Sequence, residues 1–148
     1  MNGWEVLREN LKLRPWWMNL MMFFCIYMTV IYLPWDLFIK PVAVDEEVWF
    51  GVTLRGWAAK ATAPFHWLVY GAGMVGFWKM RPWMHPWASL YVVQIAISMF
   101  VWQFLDERGS DSIIAAIGGA IPFILLAIVL WRAKEKFNNP ANSKDQAI

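Results

Sequence analysis

Little in this chain of 148 residues suits catalysis or metal binding: it has one cysteine, two histidines and only 16% charged residues. Cys25 alone forms neither an internal disulfide nor a thiolate cage, and inside an uncharged apolar run it reads as a small buried residue. Neither His66 nor His85 has a second His, Cys or carboxylate three or four residues away. The sequence therefore implies no metal and no cofactor. The catalytic signatures G-x-S-x-G, the Walker A phosphate loop and H-E-x-x-H are absent, so no catalytic residue is assigned. A formal net charge of +2 is too small for the basic footprint of a nucleic-acid partner. The acidic run Asp45, Glu46 and Glu47 lacks the spacing of a calcium loop and reads as a helix N-terminus, where carboxylates complement the dipole.

Apolar residues fill the space that charge leaves. Hydrophobic residues make up 59% of the chain, against about 45–50% for a soluble domain, and the mean hydropathy is +0.40. The 12 tryptophans hold that average down, because their rings favour the headgroup level of a bilayer over its core. They mark the ends of apolar runs: Trp16, Trp17, Trp35, Trp78, Trp83, Trp87, Trp102 and Trp131.

The patterning predicts an all-α integral membrane four-helix bundle with spans at about 15–34, 63–80, 85–105 and 112–131. Each is close to the ~20 residues that cross a 30 Å hydrocarbon core. Residues 1–14 form an amphipathic interfacial segment, with Trp4, Leu7 and Leu11 on one helical face. A second interfacial helix is expected near 45–61, followed by Thr62 and Pro64 at the start of the second span. The four-span domain thus covers 15–132, and 133–148 is a basic and then disordered tail. Lys and Arg concentrate beside the termini and the 79–84 turn (Arg8, Lys12, Arg14, Lys79, Arg81, Arg132, Lys134, Lys136). The positive-inside rule then puts both termini in the cytoplasm, as an even span count requires, and the compact loops suggest a bacterial inner membrane.

No Asp, Glu, Lys or Arg lies away from the span ends, which disfavours carriers that need a charge at mid-membrane. The third span carries a polar stripe of Trp87, Tyr91, Gln94, Ser98 and Trp102 at helical spacing. His66 and Tyr70 share a face of the second. An antiparallel hairpin of these spans would bring His66, Tyr70, Tyr91, Gln94 and Ser98 together, roofed by Trp102. Such a cluster either holds helices together by hydrogen bonds or lines a pocket for a lipophilic ligand such as a quinone, sterol or isoprenoid. Ala72 with Gly76, and Ala115 with Gly119 beside Ala116 with Ala120, are small-xxx-small pairs suited to helix packing. The leading expectation is a non-enzymatic accessory or scaffold protein, with lipophilic-ligand binding as the alternative. Membrane lipids are the expected partners, with other membrane subunits or a second copy as further candidates.

Overall fold

The computed structural model describes residues 2–138. Asn2 begins α1 (Gly3–Lys12): its side chain accepts from Glu5 N at 2.9 Å while Glu5 Oε2 accepts from Asn2 N at 3.1 Å, a reciprocal capping box. The chain continues through α2 (Trp16–Tyr27), a π-helical turn (Met28–Tyr32) and α3 (Leu33–Phe38) as one unbroken rod. Pro34 explains the π turn. It has no N–H to offer the preceding turn, so the ladder slips and the Leu33 N–H bonds to Met28 O. The Thr29 carbonyl is taken instead by Trp67 Nε1 at 2.8 Å.

After a short 3-10 turn (Val42–Val44), β1 (Glu46–Trp49) and β2 (Val52–Arg55) form an antiparallel hairpin in the register Glu46 to Arg55 and Trp49 to Val52. Three long helices complete the body: α4 (Trp57–Trp78), α5 (Met84–Leu105) and α6 (Ile113–Arg132), before the single turn α7 (Lys134–Phe137). Among the described residues, the rod Trp16–Phe38 and helices α5 and α6 are long and apolar enough to cross a membrane. Helix α4 is equally long but lies outside that set, because Lys60, Pro64, His66 and Tyr70 dilute its hydropathy.

Two expectations are corrected here. The chain is not all-α, and the interfacial helix expected near 45–61 does not exist. Residues 46–55 form the hairpin, and the rest belongs to the first turn of α4. Val48, Val52 and Thr53 are β-branched and favour a pleated backbone, and Phe50 and Gly51 both adopt positive φ, the geometry of a two-residue hairpin turn. Gly51 is obligatory on two counts: its φ is +87°, and an added Cβ would lie 2.8 Å from Trp102 N and closer still to Val101. Thr62 is consequently not a cap; its hydroxyl donates back to the Ala59 carbonyl at 3.0 Å inside α4.

The helices associate as two intimate pairs, α2 with α4 and α5 with α6, and the pairs meet each other less closely. Glycine sets the first pair. A Cβ on Gly73 would lie 2.9 Å from Cys25 Sγ, and one on Gly71 would lie 3.7 Å from Thr29 Cγ2. Ala116 and Ala120 are buried on α6, as is Gly76 on α4, whereas Ala115 and Gly119 are half-buried and Ala72 is exposed.

One end of the body holds α1, the 79–83 turn and α7. There Met18, Met22, Phe77, Met80, Leu130 and Phe137 form a closed core. Phe137 belongs to this core, so the described part of the expected tail is anchored; the disorder expected for 139–148 lies outside the described residues. Arg14 is 5% exposed and donates from Nη1 to Phe77 O at 2.9 Å and to Trp78 O at 3.3 Å, closing the carbonyl end of α4. Burial lowers its pKa to about 10, so it stays charged at neutral pH. The opposite end holds the hairpin and the α5–α6 loop.

Candidate ligand site between the helix pairs

The hairpin end is built from ion pairs. Lys40 Nζ lies 2.8 Å from Asp36 Oδ1 and 2.7 Å from Asp45 Oδ1, and Lys60 Nζ lies 3.0 Å from Asp45 Oδ2. Both carboxylates are 1% exposed, so these four alternating charges cancel within a nearly dry cluster. Burial pushes the Asp45 carboxyl up, but Lys40 and Lys60 outweigh it and hold it below the usual range. Burial likewise works against the Lys40 ammonium, and the two aspartates more than reverse it.

A second set pins the hairpin to the end of α5. Arg108 pairs with Asp106 at 2.8 Å and with Glu46 at 2.8 Å and stands over the Trp102 ring, while Thr53 Oγ1 donates to Asp106 Oδ2 at 2.5 Å. Arg108 and then Thr53 hold the Asp106 carboxyl far below its ordinary value.

With the hairpin fixed at both edges, Glu47 and Trp49 are carried against α4. Glu47 Oε2 lies 2.5 Å from His66 Nδ1, and Trp49 stacks on the same imidazole at 4.1 Å and 5°. One turn further, Tyr70 meets Tyr91 of α5 edge-on at 6.0 Å, with the two hydroxyls paired.

Beyond these phenols, a cavity of about 630 Å³ occupies the gap between the helix pairs. Leu20, Met21, Phe24 and Cys25 line it from α2, Val69, Tyr70, Ala72 and Gly73 from α4, and Phe123 and Leu126 from α6. Its α5 wall runs from Met84 to Ile95, with Trp83 of the preceding turn at the near end; beyond the non-helical backbone of His85, the stretch Pro86–Ile95 is about 14 Å long at 1.5 Å per residue. Leu20, Phe24, Trp87 and Leu90 on its rim are exposed, so the cavity opens sideways between α2 and α5 rather than to either end.

Of the six residues singled out for ligand contact, Tyr70 and Tyr91 line this cavity. His66 stands behind Tyr70, their rings 6.4 Å apart. Gln94 and Ser98 do not join them. Gln94 Nε2 donates to Ser98 Oγ at 2.9 Å along the same helix, and Trp102 lies under Arg108. Ala72, chosen as a packing residue, faces the cavity.

Two features escaped the sequence reading. The first is Glu47, a carboxylate delivered from β1 to His66 of α4, which has no Asp or Glu of its own. The second is Gly71, Gly73 and Gly76, which show the G-x-G-x-x-G spacing of a dinucleotide turn in the middle of α4. With no strand before them and no helix start at them, these glycines serve close packing against Thr29, Cys25 and Met84. Among the described residues no group of three or more His, Cys, Asp or Glu is placed to hold a metal ion. No family model, curated protein or solved structure matches the chain.

Proposed function

We propose that this chain is an integral membrane protein that binds a lipophilic ligand in the cavity between its two helix pairs. The observation that carries the reading is the cavity itself: about 630 Å³, walled by aliphatic, thioether and aromatic side chains, with two phenols at one end. Its volume falls within the ~300–1,000 Å³ range of small-molecule sites, and a few convergent polar groups on an apolar wall are what orient such ligands. The sideways opening suits a molecule arriving from the bilayer. The accessory-subunit reading rests on an apolar outer surface that any embedded chain presents, so the cavity favours ligand binding. In this reading the terminal end, with its basic residues, faces the cytoplasm of a bacterial cell and the hairpin faces the other side. Lipids surround the chain, and a second copy or another subunit is compatible with the exposed helix faces.

Native mass spectrometry of the full chain released from mild detergent tests this. A stoichiometric apolar adduct is expected, and it should be lost from Ala72→Trp, which fills the cavity from an exposed position without entering the core. Circular dichroism checks that the variant keeps its helix content. An adduct held equally by both proteins, or by neither, would overturn the assignment.

A further inference from the structure

We infer that the ligand of this cavity carries an aromatic headgroup with a hydroxyl, a phenol or quinol on an apolar tail, held at the Tyr70–Tyr91 end. The inference rests on the cavity reading above and names its ligand class. Three observations point the same way.

The headgroup end is aromatic on several sides. Phe24 meets Tyr70 edge-on at 5.7 Å and 81°, and Tyr70 meets Tyr91 at 6.0 Å and 86°. Rings arranged edge-to-face leave faces and edges for a further flat ring, which a saturated sterol ring cannot match.

The polar groups there are also specialised. Among the described residues, the hydroxyls lining the cavity belong to Tyr70 and Tyr91, and behind them stands a carboxylate paired with an imidazole, Glu47 with His66. The Glu47–His66 pair stands one turn behind the hydroxyls, with the His66 and Tyr70 rings 6.4 Å apart. A negative charge behind a hydroxyl pair strengthens it as an acceptor. A phenolic O–H is a stronger donor than the O–H of an aliphatic alcohol and gains more from such an acceptor.

The remainder of the cavity offers few polar groups, the Cys25 thiol and the indoles of Trp83 and Trp87, and is lined by adaptable side chains such as Met21 and Met84. It suits a flexible hydrocarbon tail.

The test uses four ligands with one tail and the full chain in lipid nanodiscs: 4-decylphenol, 4-decylanisole, decylbenzene and 4-decylcyclohexanol. Affinity is read by competition against a radiolabelled 4-decylphenol probe. The phenol is expected to bind at least tenfold tighter than each of the others. Tyr70→Phe with Tyr91→Phe should erase that preference while leaving decylbenzene affinity within about twofold, and Glu47→Gln should reduce it in part. Equal affinity for all four, or a preference for the cyclohexanol, overturns the headgroup assignment while the cavity reading stands. Absence of saturable binding by any of the four, with wild type and Ala72→Trp indistinguishable, overturns both. The ligand series on the wild-type chain decides the matter even if the double variant fails to fold.

Discussion

Glu47 Oε2 and His66 Nδ1 lie 2.5 Å apart, although one belongs to a loop hairpin and the other to the middle of a long helix. The pair joins the hairpin to the helix pairs and stands behind the phenols that close the cavity. Its acceptor comes from β1, which carries a carboxylate onto the face of α4, a helix with no Asp or Glu of its own.

Removing that acceptor should cost stability. Glu47→Leu removes the carboxylate from the half-buried His66 Nδ1, a loss of about 1–3 kcal/mol. Glu47→Gln keeps an acceptor oxygen and should lose less. Thermal unfolding of the two variants in the same detergent gives the comparison; equal midpoints would mean that the imidazole is satisfied elsewhere.

The cluster of Asp36, Lys40, Asp45 and Lys60 sets the pH range of the hairpin end. Asp45 is held below its ordinary pKa, so its contribution is present above the usual carboxylate range and lost as pH falls through the folded value. Lys40 is held above its ordinary pKa, so its contribution is complete below the usual lysine value and lost as pH rises through the folded one. Unfolding midpoints should therefore plateau between about pH 5 and 9 and fall on either side. Asp45→Asn, which leaves two half-buried ammonium groups short of a partner, should cost about 1–3 kcal/mol and flatten the acid limb.

Gly51 should tolerate no side chain. Gly51→Ala combines a left-handed backbone, worth about 1–2 kcal/mol for an L residue, with a Cβ driven into Val101 and the Trp102 backbone. The hairpin should loosen first. Amide exchange at Val48 and Thr53 should accelerate well before that of α5, and unchanged exchange would count against this packing.

Arg14 should not be replaceable by lysine. Its guanidinium reaches the carbonyls of both Phe77 and Trp78 from a buried position. A lysine ammonium lacks the second nitrogen of the fork, Nη2, which donates to Asn10 Oδ1 while Nη1 holds both carbonyls. Arg14→Lys should cost about 1–3 kcal/mol and Arg14→Ala more, read from the same thermal assay.

The parts of this fold that were legible in the sequence are those set by local chemistry. The amphipathic helix near the N-terminus and the long apolar runs both follow from residues within a few positions of each other. The hairpin was missed because three successive acids looked like a helix start. Two of them are spent instead on distant cations: Asp45 on Lys40 and Lys60, and Glu46 on Arg55 and Arg108. The polar residues at helical spacing on α5 do not all meet at one place. Gln94 and Ser98 satisfy each other within the helix, an option that helical spacing permits without revealing.

By itself, the sequence determined helices with uncharged apolar lengths, because hydropathy and caps act over one or two turns. Tertiary structure alone decided how those helices pair. Gly73 lets α4 close on α2, small residues bury α6 against α5, and the gap left between the pairs becomes the cavity. The same long-range assembly carried Glu47 to His66. Both outcomes depend on which surfaces meet across the bundle, and no periodicity along a single element encodes that.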